Sequence, residues 1–449
     1  MLKPQVDFLI RWNKMNNKKT FGLINLGCRV NLFESTVIID QMIKSDFSYV
    51  KDYKNADIVI INTCSVTSRA DRKSRYFINK ICNLKQHPIL VVAGCYSQIN
   101  ANQIKEETNA SIIIGNKYKN KIPELIKEYM QNKKQIVLID NLFKETKMEE
   151  FPTFSFCENT RAVIKIQDGC NFMCSYCLIP FSRGRQRSLN HNTILASINE
   201  LIKANFYEII LTGVNTAGYL DENNYTFFDL LKDINAIPGK FRVRISSIEP
   251  FQISKEIIDL ITNNKQRWVQ EFHLCLQSAN DEILKVMNRK YTVKEFTELC
   301  DYIRSKNPLA SITTDYIVGY GNETDEIFQD EINNLNKIHF SFMNIFPYSP
   351  RPNTAGTRKN IGIDNKIKFA RTKQLQKLAD EWTNSYLQNF IGKKVEVWFE
   401  RSTIKNTQVG HSQYFFKVYV DETNDLHGLR KDVKITKILS DNKVYGEII

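Results

Sequence analysis

The sequence predicts an α/β chain in three parts: an amino-terminal domain on a parallel sheet, a partial (β/α)6 barrel, and a small all-β barrel of roughly OB type at the carboxyl end. Three observations predict this. From Thr20 to about residue 150, apolar runs alternate with helical patterns. The alternation resumes at Arg161 through six more strand–helix units. After Gly392 only short strands follow. Continuous apolar strands separated by helices are the mark of parallel sheets covered on both faces. The expected domains are 20–150, 151–391 and 392–449, and the charged, proline-bearing "KMEEFPTF" marks the first break.

In the first domain "TFGLINLG", "DIVIINT", "PILVVAG" and "SIIIG" read as strands, with helices in "ESTVIIDQMIKS" and "SRADRKSRYFINKIC". The barrel strands are "AVIKIQ", "EIILTG", "RVRISSI", "FHLCLQS", "SITTDYIVG" and "FSFMNIFPY", with helical patterns such as "NTILASINELIKA" and "DEIFQDEINNLNKI" between them. A long helix, "NKIKFARTKQLQKLADEWTNSYLQNF", closes the barrel. The tail strands are "VEVWFE", "YFFKVYV", "DVKITKILS" and "KVYGEII". Met15 is a second candidate start, which would make Met1–Lys14 an extension; the competing reading is a short basic arm.

Composition narrows the function. The formal charge of +13 points to a polyanionic partner, most commonly nucleic acid, although Lys-rich composition alone accounts for part of it. No apolar run is long enough to span a bilayer, so a cytoplasmic protein is expected. Ten cysteines in 449 residues are no disulfide scaffold; clustered cysteines in a reducing compartment bind metal or do redox chemistry.

Six of the ten form two constellations. Cys170, Cys174 and Cys177 lie in "DGCNFMCSYCLIPFSRGRQRS", at spacings of four and three, in the loop leaving the first barrel strand. A 4Fe–4S cube usually takes four thiolates, so three leave one iron open to another ligand. Zinc with a fourth ligand from elsewhere is the competing reading, although zinc usually draws on paired cysteines. Cys28, Cys64 and Cys95 each follow a strand of the first domain. Ligands of open parallel sheets bind at the carboxyl ends of strands, so the fold would gather these three at one edge. Cys82, Cys157, Cys275 and Cys300 lack ligand spacing and read as buried thiols.

The cysteine loop resembles the signature of radical-SAM enzymes, in which the open iron chelates S-adenosylmethionine (SAM). The resemblance extends further. "GCRVN" (27–31), "NTCSVT" (62–67) and "GCY" (94–96) are similar to the amino-terminal domain of the methylthiotransferases. "RISSIEP", "LQSANDEILKVMNRKYT" and "FPYSPRPNTA" are similar to their barrel, and the tail resembles their TRAM domain, an RNA-binding module. "GCRVN", "NTCSVT" and "KSRYFI" look most like the branch that acts on threonylcarbamoyl-adenosine of tRNA. The sibling branches act on isopentenyl-adenosine of tRNA and on an aspartate of a ribosomal protein.

The resemblance implies two 4Fe–4S clusters, a radical-generating one on Cys170, Cys174 and Cys177 and an auxiliary one on Cys28, Cys64 and Cys95. It implies SAM as cofactor, tRNA as substrate, and flavodoxin or ferredoxin as electron donor. Thr212, Gly213 and Asn215 fall where the family's second barrel strand meets the SAM amino group, while Ser247, Glu249 and Gln277 end the third and fourth strands as further contacts. Arg183, Arg185 and Arg187 offer forks for the SAM carboxylate or tRNA phosphate. Arg69, Arg72, Lys73 and Tyr76 share a helical face, more simply a solvated one. In the tail, Lys417, Lys431 and Lys434 are the candidate phosphate contacts. One departure stands out: the family's Gly-aromatic-Pro-Gly-Glu-Thr turn reads Gly319-Tyr320-Gly321-Asn322-Glu323-Thr324, which predicts a looser loop. A rival of another class is a non-catalytic, zinc-bearing RNA-binding protein.

Overall fold

Six parallel strands make the sheet of the amino-terminal unit in the computed structural model, which describes residues 18–149, 161–359 and 362–449. They are β1 (Thr20–Asn25), β2 (Ser48–Tyr49), β3 (Ile58–Thr63), β4 (Ile89–Gly94), β5 (Ile112–Ile114) and β6 (Ile136–Leu138), in the order β2-β1-β3-β4-β5-β6. The four strands read from apolar runs are present; β2 and β6 are too short to stand out in the sequence. Successive side chains of a strand point to opposite faces. Phe21, Ile58, Ile60, Val91 and Ala93 accordingly enter one core, and Ile24, Val59, Ile61, Leu90 and Val92 the other. The predicted break near residue 150, Cys157 and both candidate starts lie outside the described residues.

The chain forms two compact units. The first also holds Asp168–Phe172 and Cys177–Leu189; the second holds residues 161–167, Met173–Tyr176 and Asn190–Ile449. Cys170 and Cys177 fall in the first unit and Cys174 in the second.

In the second unit the barrel strands are β7 (Ala162–Lys165), β8 (Glu208–Thr212), β9 (Arg242–Ile245), β10 (Glu271–His273), β11 (Ser311–Val318) and β12 (Phe342–Pro347). β7, β8 and β9 pair in parallel, as do β10, β11 and β12. Parallel bridges Val243↔Trp268 and Ile248↔Leu274 join the two sets into one arc, the open barrel expected from six strand–helix units.

The tail is a closed five-stranded barrel of β13 (Lys394–Phe399), β14 (Thr407–Ser412), β15 (Lys417–Asp421), β16 (Arg430–Ile438) and β17 (Val444–Ile448), in the order β13-β14-β15-β17-β16. β14, "TQVGHS", escapes a hydrophobicity reading because it is polar. The tail packs firmly against the barrel of the same unit. Leu387 and Phe390, at the end of helix Asn365–Gln388 and just beyond it, enter its core with Val397, Val418 and Ile435. Arg242, first residue of β9, pairs with Glu208, first residue of β8, and donates to the His411 carbonyl at 3.2 Å. Arg161 pairs with Glu400 at 2.7 Å, and the Arg244 guanidinium lies 3.5 Å from the centre of the Phe415 ring. These contacts fall at the amino-terminal ends of the barrel strands. The tail thus covers that end and leaves the carboxyl ends to the site.

The altered Gly319–Thr324 turn is tied down rather than loose. Gly319 and Gly321 take φ of 80° and 73°, which suits glycine. The Glu323 carboxylate accepts from the Gly319 N–H at 2.9 Å and pairs with Arg371 at 2.6 Å. The Tyr320 hydroxyl meets Ser175 Oγ at 2.6 Å, and Thr324 caps helix Asp325–Ile338.

Behind this turn lies a buried carboxyl with a pH consequence. Glu331 accepts from Ser278 and is fully buried. Burial first, and then the charge of Glu323, push its pKa up to about 8. An unfolded chain releases that proton at about pH 4.3. Between these values the folded state keeps a proton that the unfolded state has lost. The stability this contributes is complete below the unfolded pKa and is lost as pH rises through about 8. Thermal melting from pH 6 to 9 should therefore show a falling midpoint. Glu331→Gln, neutral at every pH, should flatten that fall. Equal slopes in both proteins would contradict it.

Candidate functional site

The first constellation follows from strand order. β1, β3 and β4 are neighbours, in the register Asn25↔Asn62 and Asn62↔Ala93, so the residues after them emerge side by side. Cys28 stands at the N-cap of helix Arg29–Lys44, Cys64 directly follows β3, and Cys95 opens helix Cys95–Glu107. Cys28 is exposed; the other two are buried.

The motif residues around them clasp neighbouring strand ends together. Asn31 donates to the Thr63 carbonyl at 2.9 Å, and Asn62 donates to the Asn31 carbonyl and to Ser35 Oγ, both at 3.0 Å. Gly94 has φ 109°, and a Cβ there would sit 2.6 Å from the Thr63 carbonyl, so only glycine lets the Cys95 turn approach β3. Asn116 donates to Cys95 Sγ at 3.6 Å.

The three thiols feel one another. Burial first, then Cys95, and more weakly Cys28, push the Cys64 pKa up to about 12, with Arg183 partly opposing. A buried Cys64 that resists ionisation suits a thiolate only where a metal centre neutralises it. The donor set, all sulfur from three adjacent strand ends, fits an iron–sulfur cube with one open iron.

Arg183 has a different occupation from the one expected. Its side chain is 1% exposed. Nη1 donates to Glu34 at 2.9 Å and to Asp168 at 3.0 Å; Nη2 donates to Asn31 at 2.8 Å and to Glu34 at 3.1 Å. Lys119, equally buried, also pairs with Glu34. The fork is filled by protein groups, so this arginine braces the Cys28 and cysteine loops instead of receiving the SAM carboxylate. Arg187 folds back onto the Arg183 carbonyl at 3.0 Å, and Arg185 is exposed. Arg69, Arg72, Lys73 and Tyr76 form the exposed face of helix Ser68–Cys82.

In the loop of the second constellation, Gly169 (φ 70°) passes so close to the Arg185 carbonyl that a Cβ would lie 2.0 Å from it. The Cys170 N–H donates to the Gly184 carbonyl at 3.1 Å, and Cys177 Sγ accepts from the Ile179 N–H at 3.4 Å. Cys174 Sγ accepts from Arg289 at 3.4 Å. Arg289 is the residue that sequence reasoning missed. Its guanidinium also holds Glu249, meets the Tyr176 hydroxyl at 3.4 Å and donates to the Cys275 carbonyl at 2.9 Å. It lies within the quoted "LKVMNRKYT", but nothing local sets it apart from the lysines around it. Burial raises the Glu249 pKa while Arg289 opposes. One arginine thus ties the third strand's carboxyl end to the middle cysteine.

The remaining strand-end residues are ordered by the barrel. Thr212, the last residue of β8, is buried and accepts from Ser246 Oγ at 3.3 Å. Gln167 Oε1 accepts from the Asn215 N–H at 2.8 Å and lies where a Cβ on Gly213 would clash, at 2.9 Å. Ser247 reaches the Cys275 thiol. Gln277 takes φ 68° and its N–H donates to the Asp315 carbonyl at 3.0 Å. Cys300 is a buried thiol, and Cys82 is half-buried.

Two family profiles match: the Uncharacterized protein family UPF0004 over residues 20–115, and the Radical SAM superfamily over 164–335. The threonylcarbamoyladenosine tRNA methylthiotransferase MtaB of Bacillus subtilis (strain 168) is 33% identical over 425 residues, covering 93% of this chain and 94% of that one. A tRNA-2-methylthio-N(6)-dimethylallyladenosine synthase of Rickettsia canadensis (strain McKiel) is 30% identical, covering 94% and 97%. Among solved structures, the radical S-adenosylmethionine methyltransferase TsrM of Kitasatospora setae superposes with a TM-score of 0.54 at 13% identity, covering 74% and 75%, a likeness of fold.

The Arg183 network yields a stability test. Arg183→Met leaves Glu34 and Asp168 buried with one cation fewer. Removing one partner from a buried ionic group costs about 3–5 kcal/mol. Denaturant melts should show a loss of that order. A loss below about 1 kcal/mol, the usual worth of a surface ion pair, would contradict the network.

Proposed function

We propose the function of this chain from one premise: it belongs to the radical-SAM methylthiotransferase family, in the branch of the threonylcarbamoyladenosine tRNA methylthiotransferases. It is a tRNA-modifying enzyme that uses SAM and 4Fe–4S clusters. Its reaction converts N6-threonylcarbamoyladenosine at position 37, 3′ of the anticodon, to the 2-methylthio derivative. The observation that carries the reading is the convergence of Cys28, Cys64 and Cys95 at three adjacent strand ends, in a chain with a second three-cysteine loop.

In this reading Cys170, Cys174 and Cys177 ligate the radical-generating cube, and Cys28, Cys64 and Cys95 the auxiliary one. When bound, these cubes and SAM supply the reductive cleavage of SAM and the radical replacement of an adenine hydrogen by a methylthio group. That hydrogen is beyond acid–base chemistry, which explains the need for a radical. The protein's own part is placement. Arg289 fixes Cys174 and Glu249 against each other. Thr212, Gly213, Asn215, Ser247 and Gln277 supply backbone and hydroxyl groups at the carboxyl ends of the barrel strands, where SAM would lie. Arg183 and Lys119 neutralise Glu34 behind the auxiliary corner.

The tail is the RNA-binding part of the proposal. Lys417, Lys431 and Lys434 are exposed on its strands. Tyr419 and Tyr445 stack at 5.4 Å with the Lys437 ammonium 4.9 Å from the Tyr445 ring, a surface that suits bases and phosphates. Because the tail closes the amino-terminal end of the barrel, its deletion would uncover buried ion pairs such as Glu208–Arg242, and point changes are the appropriate probe. Electrons come from a flavodoxin or ferredoxin, and the enzyme works in the cytoplasm. Among the described residues no helix is long and apolar enough to cross a membrane.

The test is nucleoside mass spectrometry of tRNA bearing threonylcarbamoyladenosine, after anaerobic reaction with cluster-loaded protein, SAM and a reductant. The methylthio product should form on this tRNA and not on tRNA bearing only isopentenyl-adenosine. Cys64→Ala should still release deoxyadenosine from SAM yet yield no methylthio nucleoside. Product on isopentenyl-adenosine alone would move the chain to the sibling branch. Normal product from Cys64→Ala would remove the amino-terminal triad from sulfur transfer.

A further inference from the structure

His273, Cys275 and Asp315 converge on β10, its extension and β11. His273 ends β10 opposite Thr313 of β11, and Cys275, two residues on, shares its side of the chain. One ligand atom from each residue, an imidazole nitrogen, the thiol sulfur and a carboxylate oxygen, lies within 4.8 Å of the other two. His273 and Cys275 are buried and Asp315 is half-buried.

The hydrogen bonds around the trio decide what this space requires. Thr313 Oγ1 lies within hydrogen-bond reach of both Glu271, at 3.2 Å, and His273 Nδ1, at 2.9 Å, and so fixes the imidazole ring through Nδ1. His273 Nε2 has no hydrogen-bond partner, on a side chain 9% exposed, and it faces Asp315 Oδ2 at 3.4 Å. Asn344 orients that carboxylate from behind, donating to Oδ1 at 2.9 Å. Ser247 supports the Cys275 sulfur. An imidazole nitrogen, a thiol sulfur and a carboxylate oxygen thus converge within 4.8 Å of one another, and Nε2 is satisfied by no hydrogen bond.

We propose that His273, Cys275 and Asp315 bind a single divalent transition-metal cation of the zinc class, separate from the iron–sulfur cubes. Imidazole nitrogen, thiolate and carboxylate are the zinc ligand set, and three protein ligands leave a fourth position open. The Thr313 contact to His273 Nδ1 and the Asn344 contact to Asp315 are the supporting bonds that fix a metal-ligating imidazole and carboxylate. The thiol that sequence spacing marks as a plain buried cysteine becomes a ligand because β11 brings Asp315 beside it.

The test uses the full chain with both clusters loaded and Zn2+ as the probe. After passage through a weak competing chelator, wild type should retain close to one zinc per chain. Its zinc X-ray absorption should show one sulfur at about 2.3 Å and nitrogen or oxygen at about 2.0–2.1 Å. Cys275→Ser should remove the sulfur signal and weaken retention at least tenfold. Asp315→Asn should weaken it at least tenfold, with iron and sulfide content unchanged in both. A wild-type protein that keeps no zinc overturns the site and leaves a proton on Nε2 as the occupant. A zinc surrounded by several sulfurs overturns it too, since that marks occupation of a cluster triad. The wild-type spectrum decides the matter even where a substitution disturbs the barrel.

Discussion

Three thiols held at the carboxyl ends of neighbouring parallel strands are the constraint on which the amino-terminal unit is organised. The sheet order brings Cys28, Cys64 and Cys95, distant in sequence, to one edge, and burial with the neighbouring thiols raises the Cys64 pKa. The surrounding residues are intelligible as answers to that problem. Asn31 and Asn62 cross-brace the first two strand ends, Gly94 lets the third approach, and Arg183 and Lys119 place positive charge nearby.

The second unit is arranged on the same principle with different materials. Parallel strands again deliver side chains to one end, and the β tail occupies the other. Its docking uses charges at the strand starts, Glu208, Arg242 and Arg161, which leaves the carboxyl ends for Glu249, Gln277 and the cysteine loop. Arg289 is the pivot there, since it touches a cysteine, a carboxylate and a strand-end carbonyl at once.

Much of this was legible in the sequence, for physical reasons. Strands buried on both faces must be apolar throughout, so β1, β3 and β4 stand out, and the cysteines directly after them can be placed at one edge. Local spacing likewise marks Cys170, Cys174 and Cys177. What was not legible depends on partners distant in the chain. Arg183 reads as a cation for a ligand until Glu34 is seen beside it, 149 positions away. Strand β14 is polar, and its place is fixed by barrel closure. The turn at Gly319 looks weakened without its proline, yet Glu323 and Arg371 hold it. Cys275 gains chemical neighbours only through the pairing of β10 with β11.

The central claim is that the strand-end triad holds a cluster of its own. Mössbauer spectroscopy of a variant with Cys170, Cys174 and Cys177 all changed to Ala, reconstituted anaerobically with iron-57 and sulfide, tests it most directly. The account predicts about four irons per chain with the spectrum of a 4Fe–4S cube. A variant without cluster iron, or with mononuclear iron only, would show that Cys28, Cys64 and Cys95 are not a cluster site.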